Sequence, residues 1–318
     1  MRDRLVTLFG GGGFIGRYAA QALLRAGARV RIAERDPRKA LYLKPLGGLG
    51  QTQFVAADLG RPDTVARAIA GADAVVNLVG TFGAAMPAVH VDGARVVAEA
   101  AAAAGVEALV HVSAIGADAT GASRYAQTKG AGEDAVRTAF PAATILRPSV
   151  VFGQEDQFLN RFAQLIARAP VVPVLRAGTR FQPVFVGDVA EAIAQATIAP
   201  GGFAGRTYEL GGPETPTMAA LLHWIAGEIG RPAARFVELP DFAGAMIANA
   251  GFLPGAPITR DQWLMLQRDN VAAPGTEGLA AFGIAPTPMA AVAPAWLVRY
   301  RRMGRFARRA HETADLSA

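Results

Sequence analysis

Tyr125 and Lys129 stand four residues apart in the stretch SRYAQTKGAGEDAVR, and on a helix that spacing stacks both side chains on one face. A phenol has an unperturbed pKa of about 10, roughly three units too high for a base at neutral pH. An ammonium beside it stabilises the phenolate, so the pair is suited to passing a proton to or from a substrate oxygen. Ser113 precedes them at the carboxyl end of an apolar segment, ALVHVSAIGA (108–117), where its hydroxyl would hold a carbonyl oxygen. A Y-x-x-x-K pair alone is common on helices. It gains meaning from that serine and from a second motif near the N-terminus.

That motif is FGGGGFIG (9–16). Before it, LVTLF (5–9) reads as a buried parallel strand; after it, RYAAQALLRAGA reads as a helix with Gly27 as its stop. Gly10, Gly13 and Gly16 therefore space a G-x-x-G-x-x-G turn between strand and helix. Such a turn presents backbone N–H groups to a pyrophosphate at the positive end of the helix. A Cβ in the turn blocks the phosphate, and one at Gly16 pushes the helix off the strand. The expected ligand is a dinucleotide. The next strand, ARVRIAERD (28–36), ends where the adenosine ribose lies. Glu34 would accept from a 2′-OH and favour NAD; Arg35, with Arg38 and Lys39 behind it, would pair with a 2′-phosphate. The arginine at the strand end makes NADP(H) the expected cofactor, with NAD the alternative. Asp58 would accept from the adenine amino group, and Gly80 would let the cofactor approach the backbone. The expected lining is Gly10, Gly12, Gly13, Phe14, Ile15, Gly16, Arg35, Asp58, Leu59, Val79 and Gly80, with Tyr125 and Lys129 at the nicotinamide end. In that setting Tyr125 moves the proton, Lys129 also bonds the nicotinamide ribose, and Ser113 completes a catalytic set of three.

The elements around these residues alternate. Short apolar strands at 53–57 and 74–79 follow the first two, with helices near 63–70 and 93–104 between them. Five strand–helix alternations before residue 115 predict an α/β fold, a doubly wound parallel (Rossmann) sheet with helices on both faces. ILRPSVVFG (145–153) reads as a sixth strand leading out of the sheet. Residues 1–153 form the expected dinucleotide-binding domain, with return segments near 181–198 and 206–212. Residues 154–318 form a smaller lobe, in which Phe158, Phe162 and Leu165 share helical spacing as core.

With 318 residues, half of them hydrophobic and 18% charged, the chain has enough apolar content for a packed core. It has no cysteine, which excludes disulfides and thiolate metal sites, and four scattered histidines do not suggest a metal centre. No secretory signal or membrane-spanning stretch is evident, so a cytoplasmic protein is expected, at the inner face of the membrane if attached. The net charge is +6, and residues 299–318 contribute six arginines against Glu312 and Asp315. The basicity therefore belongs to a tail, and no nucleic-acid partner is expected. In AWLVRYRRMGRFARRAHE (295–312), Trp296, Leu297, Tyr300, Met303 and Phe306 interleave with those arginines. This pattern fits a helix laid on an anionic membrane or acidic partner, or equally one docked on its own domain.

FGGGGFIG, AADL (56–59), VVNLVG (75–80), VSAIG (112–116), YAQTK (125–129) and FVGDVAEAI (185–193) together resemble the extended and atypical branches of the short-chain dehydrogenase/reductase superfamily. YLKPLGGLGQ (42–51), the run from Ser123 to Ala163, and TRDQWLMLQRDNV (259–271) narrow the resemblance. They are similar to the nucleotide-binding accessory subunit of respiratory complex I and its bacterial relatives. The resemblance implies a tightly held NADPH in a largely structural role, beside the quinone oxidoreductase at the membrane. The alternative is an active NADPH-dependent reductase of an apolar carbonyl or quinone, served by Ser113, Tyr125, Lys129 and the apolar stretches 81–89 and 242–257. The stretch 81–94 is poor in the polar residues that sugar epimerases use, which argues against a nucleotide sugar.

Overall fold

The computed structural model describes residues 4–251, 258–302 and 304. Two compact units divide the chain. The first comprises the residues up to Pro148, Val186–Leu210 and Ala272–Ala285; the second comprises Ser149–Phe185, Gly211–Val271 and the chain from Pro286 onward.

The first unit is built on β1 (Leu5–Phe9), β2 (Arg29–Glu34), β3 (Thr52–Ala56), β4 (Ala74–Asn77), β5 (Ala108–Val112), β6 (Thr144–Pro148) and β7 (Thr207–Leu210). Its helices are α1 (Phe14–Arg25), α2 (Pro62–Ile69), α3 (Ala94–Ala103), α4 (Arg124–Ala139) and α5 (Val186–Ile198). The strands form one sheet in the order β7-β6-β5-β4-β1-β2-β3, with every pair parallel. This is the expected doubly wound Rossmann sheet. The apolar runs that read as strands are buried on both sides: all five residues of β1 and of β5 are buried. On one face Val65, Ile69, Val97, Ala101 and Val136 pack with Phe9, Val75 and Leu109. Elsewhere α1 and α5 lie against each other through alanine-rich surfaces, and α5 covers β4 and β5.

The chain winds outward from β1 to β3, then returns to β4 on the other side of β1. A crevice opens at such a reversal, outside the carboxyl ends of the strands. The glycine turn follows β1 there, and Leu78–Gly80 follow β4. α4 is tied to the sheet by Glu133, which is buried and accepts from Arg147 on β6 at 2.7 and 2.8 Å. Arg147 also reaches Glu209 on β7, whose second oxygen accepts from the Ala273 N–H of the returning segment.

The second unit holds Leu159–Arg168, Met218–Glu228 and short two-stranded pairings: Val171–Leu175 with Arg235–Leu239, and Val151–Phe152 with Val184–Phe185. Its core includes Phe152, Leu159, Ile166, Leu221, Ile225 and Leu297. Phe158 and Phe162 pack against that core as expected, whereas Leu165 is 39% exposed; the buried stripe runs instead through Leu159, Ala163 and Ile166. The segment 145–153 is two strands rather than one. Pro148 offers no N–H, and Asn270 Oδ1 accepts from Ser149 Oγ at 2.7 Å and the Val150 N–H at 3.0 Å, which breaks the run.

The basic tail starts as a helix at Pro294–Leu297 and a turn at Val298–Tyr300, then becomes extended at Arg301. Leu297 is buried, and Trp296 and Tyr300 pack on this unit's own core. Arg299 donates to Gln154 O and Asn160 Oδ1, and Arg301 donates to Glu228 O. Met303, Phe306 and the arginines from Arg305 onward lie outside the described residues. Among the described residues no helix is long and apolar enough to cross a membrane, and no group of three or more acidic or histidine side chains could hold a metal ion.

Candidate functional site

The glycine turn is closely built. Gly10 takes φ +79°, a left-handed conformation that only glycine adopts at little cost, and lies against the backbone of Leu78 and Val79. A Cβ on Gly16 would stand 2.6 Å from Gly11 Cα and closer still to Gly10 O, so α1 meets the turn at backbone contact. Gly13 caps α1 with no side-chain hydrogen bond, and among the described residues no group accepts from the N–H of Phe14, Ile15 or Gly16. These first-turn donors are the ones a phosphate takes at a helix N-terminus. The residues present therefore fit a dinucleotide.

Glu34 is committed to the turn: its Oε1 accepts from the Gly12 N–H at 2.7 Å. Tyr42 Oη donates to Gly12 O on the other side, beneath the Arg17 guanidinium. Arg35 is exposed next to this junction and makes no hydrogen bond or ion pair through its side chain among the described residues. Arg38 is instead occupied by Asp36 at 2.9 Å. Asp58 spends one oxygen on the Gly60 N–H at 3.0 Å and keeps the other, while Leu59 and Val79 pack into the core beneath α2 and α3.

At the opposite end of the crevice, α4 begins at Ser123, whose hydroxyl accepts from the Ala126 N–H. That start places Tyr125 and Lys129 on the face toward β5 and Gly80. Lys129 Nζ donates to Val112 O at 3.2 Å and lies 5.9 Å from the Tyr125 ring centre. Ser113 follows Val112; it is 4% exposed and its Oγ has no hydrogen-bond partner. A buried hydroxyl with no partner among the described residues costs free energy, which a ligand atom placed against it would recover.

The sequence expectation that Lys129 would favour the phenolate meets a stronger effect. Burial pushes Tyr125 up to about 12, so the phenol holds its proton at neutral pH. Burial lowers Lys129 to about 8, with Glu133 one turn away opposing the shift. At neutral pH the phenol and the ammonium therefore both hold their protons.

Two residues at the site, His90 and Thr128, escaped the sequence reading. His90 sits in a wide helical turn, Ala88–Gly93, that precedes α3. The Thr81 N–H donates to its Nε2 at 3.0 Å, which leaves the proton on Nδ1, 2.9 Å from Thr128 Oγ1. Thr128 in turn donates to Tyr125 O at 3.1 Å. The His90 ring meets the Tyr125 ring edge-on, and Phe82 stacks on Tyr125 at 5.0 Å and 15°. In sequence His90 was a lone polar residue in an apolar run. Gly132, where a Cβ would collide with His90 O, lets that turn lie against α4.

Burial and the nearby Lys129 hold His90 down at about 4, and burial holds His111 at about 3, so both are neutral in the folded protein. The unfolded chain takes up these protons near pH 6.5. Stability from both groups is complete above that value and is lost as pH falls toward 4 and then 3. Imidazole C–H resonances of both residues should stay at their neutral positions down to pH 5; titration of either near 6.5 would contradict the buried geometry.

Residues 10–163 match the model of an NAD(P)H-binding family. The chain is 35% identical over 294 residues to the NADH dehydrogenase [ubiquinone] 1 alpha subcomplex subunit 9, mitochondrial, of Rattus norvegicus, covering 90% of this chain and 77% of the relative. It is 38% identical over 191 residues to the ceramide reductase of Caulobacter vibrioides, covering 58% of each chain. Among solved structures, an NADPH-dependent quinone oxidoreductase from Escherichia coli, complexed with NADPH, superposes with a TM-score of 0.73 at 20% identity, over 92% of this chain and 99% of that one. That likeness bears on the fold. The turn, the crevice and the similarity along 90% of the chain agree: the chain belongs to the NAD(P)H-binding family of the complex I alpha subcomplex subunit 9, an atypical branch of the short-chain dehydrogenase/reductases.

Proposed function

We propose that this protein holds NADPH as a largely structural group and associates with a respiratory NADH:quinone oxidoreductase at the membrane. The observation that carries the reading is the open N-terminal turn of α1, whose Phe14, Ile15 and Gly16 N–H groups await a diphosphate. Gly10 and Gly13 leave room for it, and Arg35 takes the 2′-phosphate while Glu34 stays on Gly12. Lys129 holds the nicotinamide ribose, and Ser113 and Tyr125 close that end. Support for association comes from the relatives named as complex I subunits along most of the chain. Arg302 and the tail arginines beyond it are the further contact candidates, since Arg299 and Arg301 are spent within their own unit.

Denaturing purified protein and identifying the released nucleotide tests this directly. NADPH that survives gel filtration, and co-purification with complex I after mild solubilisation, are the expected results. A nucleotide-free protein that also ignores added NADPH would refute the reading. Arg35→Ala should weaken NADPH binding by roughly tenfold to a hundredfold, the worth of a charge-assisted hydrogen bond, and leave NADH unaffected. Equal loss for both cofactors would remove the 2′-phosphate role.

A second reading is favoured by one specific feature, the unpaired buried Ser113 Oγ. Bound NADPH supplies a hydride, which makes reduction of an apolar carbonyl or quinone the matching activity. Ser113 then holds the substrate oxygen and Tyr125, protonated at neutral pH, gives it a proton. The relative named ceramide reductase supports the same direction. A carbonyl and quinone panel decides it. Tyr125→Phe should abolish any turnover found while NADPH stays bound; unchanged turnover would exclude the proton-transfer role.

A further inference from the structure

The stretch from Pro37 to Gly50 is only partly used by the nucleotide site. Tyr42 anchors its first turns to Gly12, but the segment buries only Ala40 and Leu43 before Gly47. PRKALYLKPLGGLG carries Arg38, Lys39 and Lys44 and no carboxylate. Beyond Tyr42, Lys44, Pro45 and Leu46 are exposed, and Leu49 is 107% exposed, as free of neighbours as in an extended peptide. Gly47 lies against Leu24, and Gln51 Nε2 donates to Ala28 O, so this tip sits beside the turn from α1 into β2. Arg25 and Arg29 flank that turn and are exposed. No side-chain hydrogen bond or ion pair is made by Arg25, Arg29 or Lys44 among the described residues. The tip belongs to the amino-terminal ends of β2 and β3, the end of the sheet away from the glycine turn.

We infer that Pro45, Leu46 and Leu49, ringed by Lys44, Arg25 and Arg29, form a docking surface for an anionic lipid bilayer. Charge decides the occupant. The patch has three unpaired cations and no acid in its own segment, which matches phosphatidylglycerol-type headgroups. Its apolar part is a projecting leucine turn, the form that enters the headgroup and acyl boundary while Lys and Arg stay outside. Leu41 and the half-exposed Tyr42 ring extend the apolar edge of the same segment, and an interfacial tyrosine suits the headgroup level, whereas a protein interface is depleted of lysine. Because the patch is remote from the nucleotide turn, docking leaves the crevice open to cofactor and acceptor.

Flotation of the full chain with vesicles tests the surface without any nucleotide, so its outcome is separate from that of the NADPH reading. The wild type should bind phosphatidylcholine vesicles containing about a third phosphatidylglycerol and should leave pure phosphatidylcholine unbound, since each basic residue contributes at an anionic surface. Lys44→Glu should lower the bound fraction roughly fivefold or more. Leu46→Ser with Leu49→Ser should lower it by about tenfold or more. Both variants should keep wild-type affinity for NADPH, which controls for folding. Three results overturn the proposal: equal binding to both vesicle types, variants that float as wild type does, or a wild type that ignores vesicles and is captured at this face by an acidic protein.

Discussion

Gly16→Ala is expected to weaken NADPH binding by one to two orders of magnitude and to lower stability. The added methyl would stand 2.6 Å from Gly11 Cα and nearer to Gly10 O, and neither is a flexible side-chain end that can turn away. Overpacking of this kind costs about 1–3 kcal/mol, and each 1.4 kcal/mol is tenfold in an equilibrium constant. The strain falls on the geometry that ligand binding requires. α1 must retreat from β1, and the Phe14, Ile15 and Gly16 N–H groups move with it. Titration calorimetry with NADPH and urea unfolding check the two effects together. Wild-type affinity in this variant would mean that the phosphate is not held at the start of α1. A loss of stability with intact affinity would say the same, since α1 would have shifted without consequence for the ligand.

Glu133→Ala is expected to cost about 3 kcal/mol, because it removes both short hydrogen bonds of a half-buried arginine and leaves it only the longer contact to Glu209. Glu133 is 1% exposed and binds Arg147 through both oxygens, with Arg137 as a further contact. The network joins α4 to β6 and β7, so its loss loosens the helix that carries Tyr125 and Lys129. A second effect separates it from simple destabilisation. Glu133 opposes the burial of the Lys129 ammonium, so the variant should lower Lys129 below its present value of about 8. The pH above which NADPH affinity declines should shift downward accordingly. Urea midpoints at neutral pH and a pH series of nucleotide affinity read these outcomes. A stability loss under about 1 kcal/mol would show a solvated pair of the surface kind.

Both expectations rest on features of unequal visibility in the sequence. The glycine spacing at 10, 13 and 16 was legible because its meaning is local: a strand must end, a helix must begin, and no Cβ fits between them. The parallel sheet was legible for the same reason, since runs such as LVTLF and ALVHV have no polar side to offer to solvent. The pairing of Tyr125 with Lys129 follows from helical pitch alone.

Tertiary packing decided the rest. Whether Glu34 meets a ribose or the turn depends on where β2 ends relative to β1, and the fold gives it to the Gly12 N–H. The proton state of Tyr125 depends on how deeply its ring is buried, and burial raises it. His90 lies 35 residues from Tyr125 in the chain and meets it where a glycine at 132 lets two helical segments touch. The strand expected across 145–153 broke at Pro148 because a distant asparagine, Asn270, captured the next two polar groups. What neighbouring residues dictate through backbone geometry could be read in order along the chain. What depends on desolvation, or on partners far apart in sequence, existed only once the chain had folded.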